Sequence, residues 1–185
     1  LAFSALGNND KVGAILFTGK VELFVPPAKG KEHVLFLLRK ILSHESADRG
    51  TNLDAPLKLL QQTMKHTTIS FLLSDFHTEH FDKAMKATAV RHDCVAIQLF
   101  EKADIQLPQK TLLPLQDAET GEVVWMDTHA AGFSTAWQQR FTQQTQQWRE
   151  TILHCGWDYL RFRTDHDFVP VLHQFFLKRI KRSNP

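Results

Sequence analysis

The stretch Thr67-Thr68-Ile69-Ser70-Phe71-Leu72-Leu73-Ser74-Asp75-Phe76 decides the fold of this chain, because it is an apolar run that delivers one carboxylate at its end. Ile, Phe and Leu come together there without polar alternation, which predicts a strand covered on both faces, as in a parallel α/β sheet. Ligands of open α/β sheets bind at the carboxyl ends of the strands, so Asp75 is the first candidate functional residue. The alternative is that Asp75 only caps the next helix. Thr78 fits that capping role better, since it directly precedes the helical spacing that runs to Ala89.

Length and composition favour one α/β domain with a substantial core, because the chain has 185 residues of which 43% are hydrophobic. Its 22 Lys and Arg against 20 Asp and Glu give a net charge of +2, with no general drive toward nucleic acid or an anionic membrane. No run approaches the roughly 18 apolar residues of a membrane span. Cys94 and Cys155 form no CxxC pattern, and we expect buried, reduced thiols of a cytosolic, hence cytoplasmic, protein.

The remaining elements surround that strand. Two apolar runs at 11–17 and 21–25 with a Gly-containing link predict an antiparallel hairpin, and Pro26-Pro27 should stop its second strand. Strands and helices then alternate up to residue 100, which predicts parallel crossovers and a doubly wound, mostly parallel sheet. Four later elements are predicted: a protruding β-hairpin within 109–130, a long helix from Ser134 to about Cys155, a strand at 158–163 and a last helix capped by Asp167.

A second candidate ligand comes from the helix that opens after Gly50. Pro is comfortable only in the first turn of a helix, so Pro56 predicts that Asp54 is the N-cap. The Thr51 hydroxyl then has no capping role. In a doubly wound sheet, Thr51 and Asp75 belong to the same carboxyl edge. One hydroxyl and one carboxylate are hard oxygen ligands, which suit an octahedral Mg²⁺ that keeps positions for water or an external ligand.

Enzymatic signatures are absent or weak in the sequence. There is no phosphate loop, no GxGxxG after a strand, no GxSxG elbow and no HExxH. Ser74, His77 and His80 are candidate auxiliary ligands beside Asp75. Two histidines three residues apart at a polar helix start are, however, more often exposed side chains than ligands of a transition metal.

An ordered set of short pieces resembles the von Willebrand factor A-type fold, and more narrowly the bacterial "domain of unknown function 58" family. The pieces are Asp10-Lys11-Val12-Gly13 with Phe17, Gly50-Thr51-Asn52-Leu53, Leu73-Ser74-Asp75-Phe76, Arg91-His92-Asp93, Asp117-Ala118-Glu119-Thr120-Gly121-Glu122 and the ending 160–182. They cover nearly the whole chain in the family's order. The resemblance implies a single domain over 1–185 with a metal-ion-dependent adhesion site.

In that site, the resemblance matches Thr51 and Asp75 to the second and third motif elements. The first element, Asp-x-Ser-x-Ser after a first central strand, has no counterpart, so we expect that strand to be missing and the domain to be N-terminally incomplete. Its place would lie between the strands 12–17 and 69–74, and a ladder that joins those two directly would contradict this order. The resemblance also implies a partner, a MoxR-type AAA+ ATPase acting in protein assembly or maturation, whose Asp or Glu would complete the coordination of the ion.

Two other functions remain open from the sequence. One is a metal-dependent hydrolase that uses Asp75 with His77 or His80, and the other is a scaffold that has lost the metal site. If the protein is an enzyme, we expect convergent side chains in a deep apolar pocket. If it is an adhesion module, we expect a shallow polar edge.

Overall fold

The computed structural model describes residues 1–46, 50–78, 81–117 and 121–183. Its strands are β1 Val12–Phe17, β2 Val21–Ala28, β3 Ile69–Ser74, β4 Asp93–Phe100, β5 Leu112–Gln116, β6 Val123–Asp127 and β7 Asp158–Arg163. Its helices are α1 Ala2–Gly7, α2 Lys31–Leu42, α3 Asp54–Thr63, α4 Asp82–Ala89, α5 Lys102–Ile105, α6 Phe133–His154 and α7 Val169–Ser183. The short helix α5 was not predicted from the sequence. In the part of the chain that the structure describes, no helix is both apolar and long enough for a membrane span.

The chain divides into two compact units. The first unit comprises Leu1–Thr68, His77–Arg91 and Gln116–Val124, and the second comprises Ile69–Phe76, His92–Leu115 and Trp125–Pro185. Thr51 therefore belongs to the first unit and Asp75 to the second.

The second unit is built on a parallel sheet with the order β3-β4-β7. Helix α7 packs on one face of this sheet, where the rings of Phe71 and Phe176 meet edge to face. Helix α6 packs on the opposite face, where Phe100 contacts Phe141. Strand β4 is central and reads as a buried run from Cys94 to Gln98, as expected of a strand with neighbours on both sides. The predicted α/β class with a mostly parallel sheet is confirmed.

The prediction that β3 is covered on both faces is wrong for the described residues. Ile69 is 61% exposed and Leu73 is 48% exposed, although both lie on the same face as Phe71. The aromatic rings of α7 cover the middle of this face around Phe71 and leave the two flanking side chains in contact with solvent. Apolar composition alone could not predict the exposure of Ile69 and Leu73. It indicates which residues can be buried, but it does not indicate how much of the strand the covering helix contacts.

The first unit contains the antiparallel pair β1 and β2. The prediction that Pro26-Pro27 stops β2 is wrong, since the strand continues through both prolines to Ala28. The register shifts there: Val12 pairs with Ala28, but Ala14 pairs with Val25. A bulge of this kind accommodates residues that lack a donor N–H, which explains how the prolines remain inside the strand.

Among the described strands, β1 is hydrogen-bonded to β2 and β3 to β4, and no ladder joins β1 to β3. The direct pairing that would contradict the proposed strand order is thus not formed. The missing central strand itself stays a prediction.

The second hairpin, formed by β5 and β6, is confirmed. Near its base the Thr128 N–H donates to the Thr111 carbonyl at 3.0 Å, and near its tip the Asp117 N–H donates to the Glu122 carbonyl at 2.8 Å. Gly121 has a φ of 76°, as the sequence predicts for a glycine in this turn. Asp167 also caps α7 as predicted, because its Oδ1 accepts the N–H of Val169 at 2.9 Å.

Both cysteines are buried free thiols, as predicted. Burial, together with the neighbouring Asp93 carboxylate, raises the pKa of the Cys94 thiol from an ordinary value of 9.0 to about 12. The unfolded chain therefore loses this proton first as the pH rises. We expect the free energy of unfolding to fall from about pH 9 toward pH 12.

The fall in the free energy of unfolding at alkaline pH can be measured by urea unfolding of the wild type and of Cys94→Ala at several pH values. The variant should show a shallower decline. An identical decline in both proteins would mean that Cys94 does not contribute to it. Alkylation of folded protein at pH 8 should also leave Cys94 unlabelled, with labelling only after unfolding.

Candidate functional site

Asp75 lies where the apolar run predicted it, directly after the last residue of β3, and its side chain is exposed. The backbone turns sharply at this point. The Ser74 hydroxyl accepts the N–H of Phe76 at 3.0 Å, and Phe76 adopts a left-handed φ of 61° with its side chain fully buried. A bulky residue in this region is strained, and such strain is tolerated where the surroundings fix it. The buried Phe76 ring and the Ser74 hydroxyl thus hold Asp75 at the tip of the strand.

Thr51 lies on the segment that enters α3 and is half-buried. Its carbonyl accepts a hydrogen bond from the Thr78 hydroxyl at 3.1 Å. This contact orients the backbone at Thr51 through a main-chain atom and leaves its side chain out of the interaction.

The predicted N-cap of α3 is wrong. Asp54 is the first residue of the helix, and the Asn52 side chain accepts the N–H groups of Asp54 and Ala55 at 2.9 and 3.4 Å. An Asn amide oxygen two residues before a helix reaches these donors as well as a carboxylate would. Asp54 instead lies in the first turn, where the helix dipole stabilises a negative charge. The inference that Thr51 has no capping role is unaffected.

The assignment of Thr78 as a helix cap is also wrong. Helix α4 begins at Asp82, with Phe81 as its flanking residue and no side-chain cap. The Thr78 hydroxyl instead holds the Thr51 carbonyl. A hydroxyl that donates to a carbonyl 27 residues away cannot be recognised from local spacing, because the partner is brought close only by the fold.

The auxiliary candidates divide into three cases. The Ser74 hydroxyl serves the turn at Phe76, and His77 is exposed. His80 lies outside the described residues. Among the residues that the structure describes, no group of three or more His, Cys, Asp or Glu side chains is arranged to hold a metal ion.

Sequence reasoning missed a polar cluster in the first unit, formed by Thr18, Glu22, His44 and Ser46. The Glu22 side chain is only 5% exposed, and its carboxylate contacts His44 Nε2 at 2.6 Å and accepts the Thr18 and Ser46 hydroxyls at 3.0 and 3.3 Å. These bonds fasten the segment after α2 to the β1–β2 hairpin. The sequence signal was a single Glu inside the apolar run 21–25, since a buried carboxylate requires partners.

The same segment is fastened again closer to Thr51. The Asn52 N–H donates to the Thr18 carbonyl at 2.8 Å. Thr18 therefore binds through its hydroxyl to Glu22 and through its carbonyl to the residue that follows Thr51. Within the first unit, the position of Thr51 is set by the hairpin on one side and by Thr78 on the other.

Comparison with known proteins places this sequence in one family. The family described as "Protein of unknown function DUF58" matches residues 1–147. The chain belongs to the DUF58 family.

Relatives of this DUF58 chain include the "Uncharacterized protein Rv1480" of Mycobacterium tuberculosis, 26% identical over 97% of this chain and 57% of that protein. The "Uncharacterized protein MAV169" of Mycobacterium avium is 28% identical over 84% of this chain and 93% of that protein. The DUF58 chain thus spans little more than half the length of Rv1480.

A solved structure also resembles the DUF58 chain. The conserved hypothetical protein BatB from Bacteroides thetaiotaomicron superposes with a TM-score of 0.53 at 16% identity, over 97% of this chain and 85% of that chain. This likeness shows a shared fold.

Proposed function

We propose that this DUF58 chain is a non-enzymatic protein-interaction module in which Thr51 and Asp75 bind Mg²⁺ and a carboxylate of the partner protein completes the coordination. The partner would be a MoxR-type AAA+ ATPase that acts in protein assembly or maturation. The choice of this partner rests on the family resemblance of the sequence. The observation that supports adhesion is the exposed carboxylate of Asp75 at the tip of a parallel strand, held there by a buried, strained Phe76.

The donor set fits Mg²⁺, because a hydroxyl and a carboxylate are hard oxygen ligands and Mg²⁺ keeps several waters beside one or two protein ligands.

The hydrolase alternative lacks a specific observation in its favour. It requires His77 or His80 beside Asp75, and His77 is an exposed side chain whereas His80 lies outside the described residues. Adhesion requires a carboxylate at the surface, and the Asp75 side chain is exposed.

Two substitutions at Thr51 test whether its hydroxyl is a ligand. Thr51→Val removes the hydroxyl, keeps the shape of the side chain and leaves the carbonyl that Thr78 binds. It should weaken Mg²⁺-dependent partner binding about tenfold. Thr51→Ser keeps the hydroxyl and should bind nearly as the wild type does. The measurement is the dissociation constant for the partner in Mg²⁺ and in EDTA, and equal affinities of the Val and Ser variants would exclude a role for the hydroxyl.

A further inference from the structure

Arg161 is a second feature of the sheet edge that carries Asp75. Ser74 pairs with Gln98, and Gln98 pairs with Arg161, so these three residues are in register across β3, β4 and β7. Asp75 directly follows Ser74. Arg161 and Asp75 thus lie near the carboxyl end of one parallel sheet, two strands apart.

Aromatic rings fix the direction of the Arg161 side chain. Its guanidinium carbon lies 4.6 Å from the ring centre of Phe100 and 5.4 Å from that of Phe141. Phe100 is the last residue of β4 and pairs with Arg163, two residues beyond Arg161. The guanidinium therefore leans toward the carboxyl edge. Stacking on aromatic faces leaves the edge of the guanidinium, with its N–H donors, available for a planar carboxylate.

In the part of the chain that the structure describes, no Asp or Glu lies within ion-pair distance of Arg161 or of Arg149, whereas Arg163 is paired with Asp165 at 2.5 Å. Arg161 is exposed as well. The Tyr159 hydroxyl donates a hydrogen bond to Gln98. Burial raises the pKa of Tyr159 to about 12, and the positive charges of Arg161 and Arg149 both act to lower it. The charges of Arg149 and Arg161 thus both act at the Tyr159 hydroxyl.

We propose that Arg161 binds a second acidic side chain of the protein partner, so that the partner presents an acidic segment with one carboxylate for the ion at Asp75 and another for Arg161. This inference rests on the proposed function and specifies the chemistry of the partner. Charge complementarity supports it, because a preorganised guanidinium that pairs with no carboxylate of the described residues matches an acidic segment.

The register also sets the spacing of the two carboxylates. Residues two strands apart in a sheet are separated by roughly 10 Å, and an extended peptide covers that distance in about three residues. A suitable probe is therefore a short peptide with two Asp residues separated by two glycines, because side chains of a rigidly extended peptide alternate between its two sides and glycine lets both carboxylates turn toward the sheet edge. Its matched control has Asn in place of the second Asp.

The binding of both peptides can be followed by NMR on the full-length protein, with and without Mg²⁺, using the side-chain Nε–H signal of Arg161 as the local readout. The wild type should bind the two-Asp peptide about tenfold more tightly than the control peptide and should shift the Arg161 signal. Arg161→Ala should lose this preference and keep Mg²⁺-dependent binding of the control peptide. Arg39→Ala, which removes the same charge from α2, should behave as the wild type.

The outcomes separate the two proposals. The role of Arg161 would be overturned, and the metal site left standing, if both peptides bound equally well in the presence of Mg²⁺. The same conclusion would follow if Arg161→Ala still preferred the two-Asp peptide. A preference that needs Arg161 but not Mg²⁺ or Asp75 would support the acidic partner and reject the metal site. Absence of binding by either peptide would count against both proposals.

Discussion

Asp75→Ala is expected to abolish Mg²⁺-dependent binding of the partner while leaving the fold intact. The substitution removes the only carboxylate that the proposed site takes from this chain, and a lost charged ligand should weaken binding by about 100-fold or more. The side chain lies exposed at the tip of β3, so its removal opens no cavity in the core. The buried Phe76 and the Ser74 hydroxyl that hold the turn both remain.

The effect should be measured as the dissociation constant for the partner together with the thermal unfolding midpoint of the variant. Asp127→Ala is a matched control, because Asp127 is also an exposed Asp directly at the end of a strand in the second unit. The control should bind as the wild type does. Unchanged affinity of Asp75→Ala would remove the basis for adhesion through this residue.

Gly13→Ala is expected to destabilise the β1–β2 hairpin by about 2 to 3 kcal/mol, in the range of an overpacked core. A Cβ at Gly13 would lie 2.6 Å from the Val25 carbonyl oxygen and 2.9 Å from the Pro27 nitrogen. Both are backbone atoms, so neither can move away by changing a rotamer. The bulge that keeps Pro26-Pro27 inside β2 is the reason for this close approach.

Gly7→Ala is the control for this substitution. Gly7 is the last residue of α1, and a Cβ there would meet nothing within 4 Å. Alanine is a better helix former than glycine, so this variant should be neutral or slightly more stable. Urea unfolding of both variants gives the comparison, and equal free energies of unfolding would show that the hairpin can open to accept a side chain at Gly13.

The sequence predicted those features whose cause is local. The strand that Asp75 directly follows, the positive φ of Gly121 and the cap by Asp167 each depend on a few adjacent residues. Helix α6 was predicted from its apolar stripe, and two members of that stripe, Trp148 and Ile152, are buried.

The features that were missed depend on distant parts of the chain. The partner of Thr78 lies 27 residues away, and the carboxylate of Glu22 meets His44 across 22 residues. The same holds for Arg161, whose contacts with Phe100 and Phe141 come from another strand and from a helix. Hydrophobic periodicity describes how one element faces the core, and it carries no information on which polar side chains meet once the elements have packed.

The most direct test of the central claim is the affinity of the full-length protein for a purified MoxR-type ATPase as free Mg²⁺ is varied. Such an ATPase binds Mg²⁺ with its nucleotide, so the titration must be run in parallel on wild-type protein and on Asp75→Ala. If Thr51 and Asp75 hold the ion, Mg²⁺ will strengthen binding of the wild type, and this gain will be lost in Asp75→Ala. An equal gain in both proteins, or no binding by the wild type at any Mg²⁺ concentration, would contradict the proposed metal-dependent adhesion to this partner.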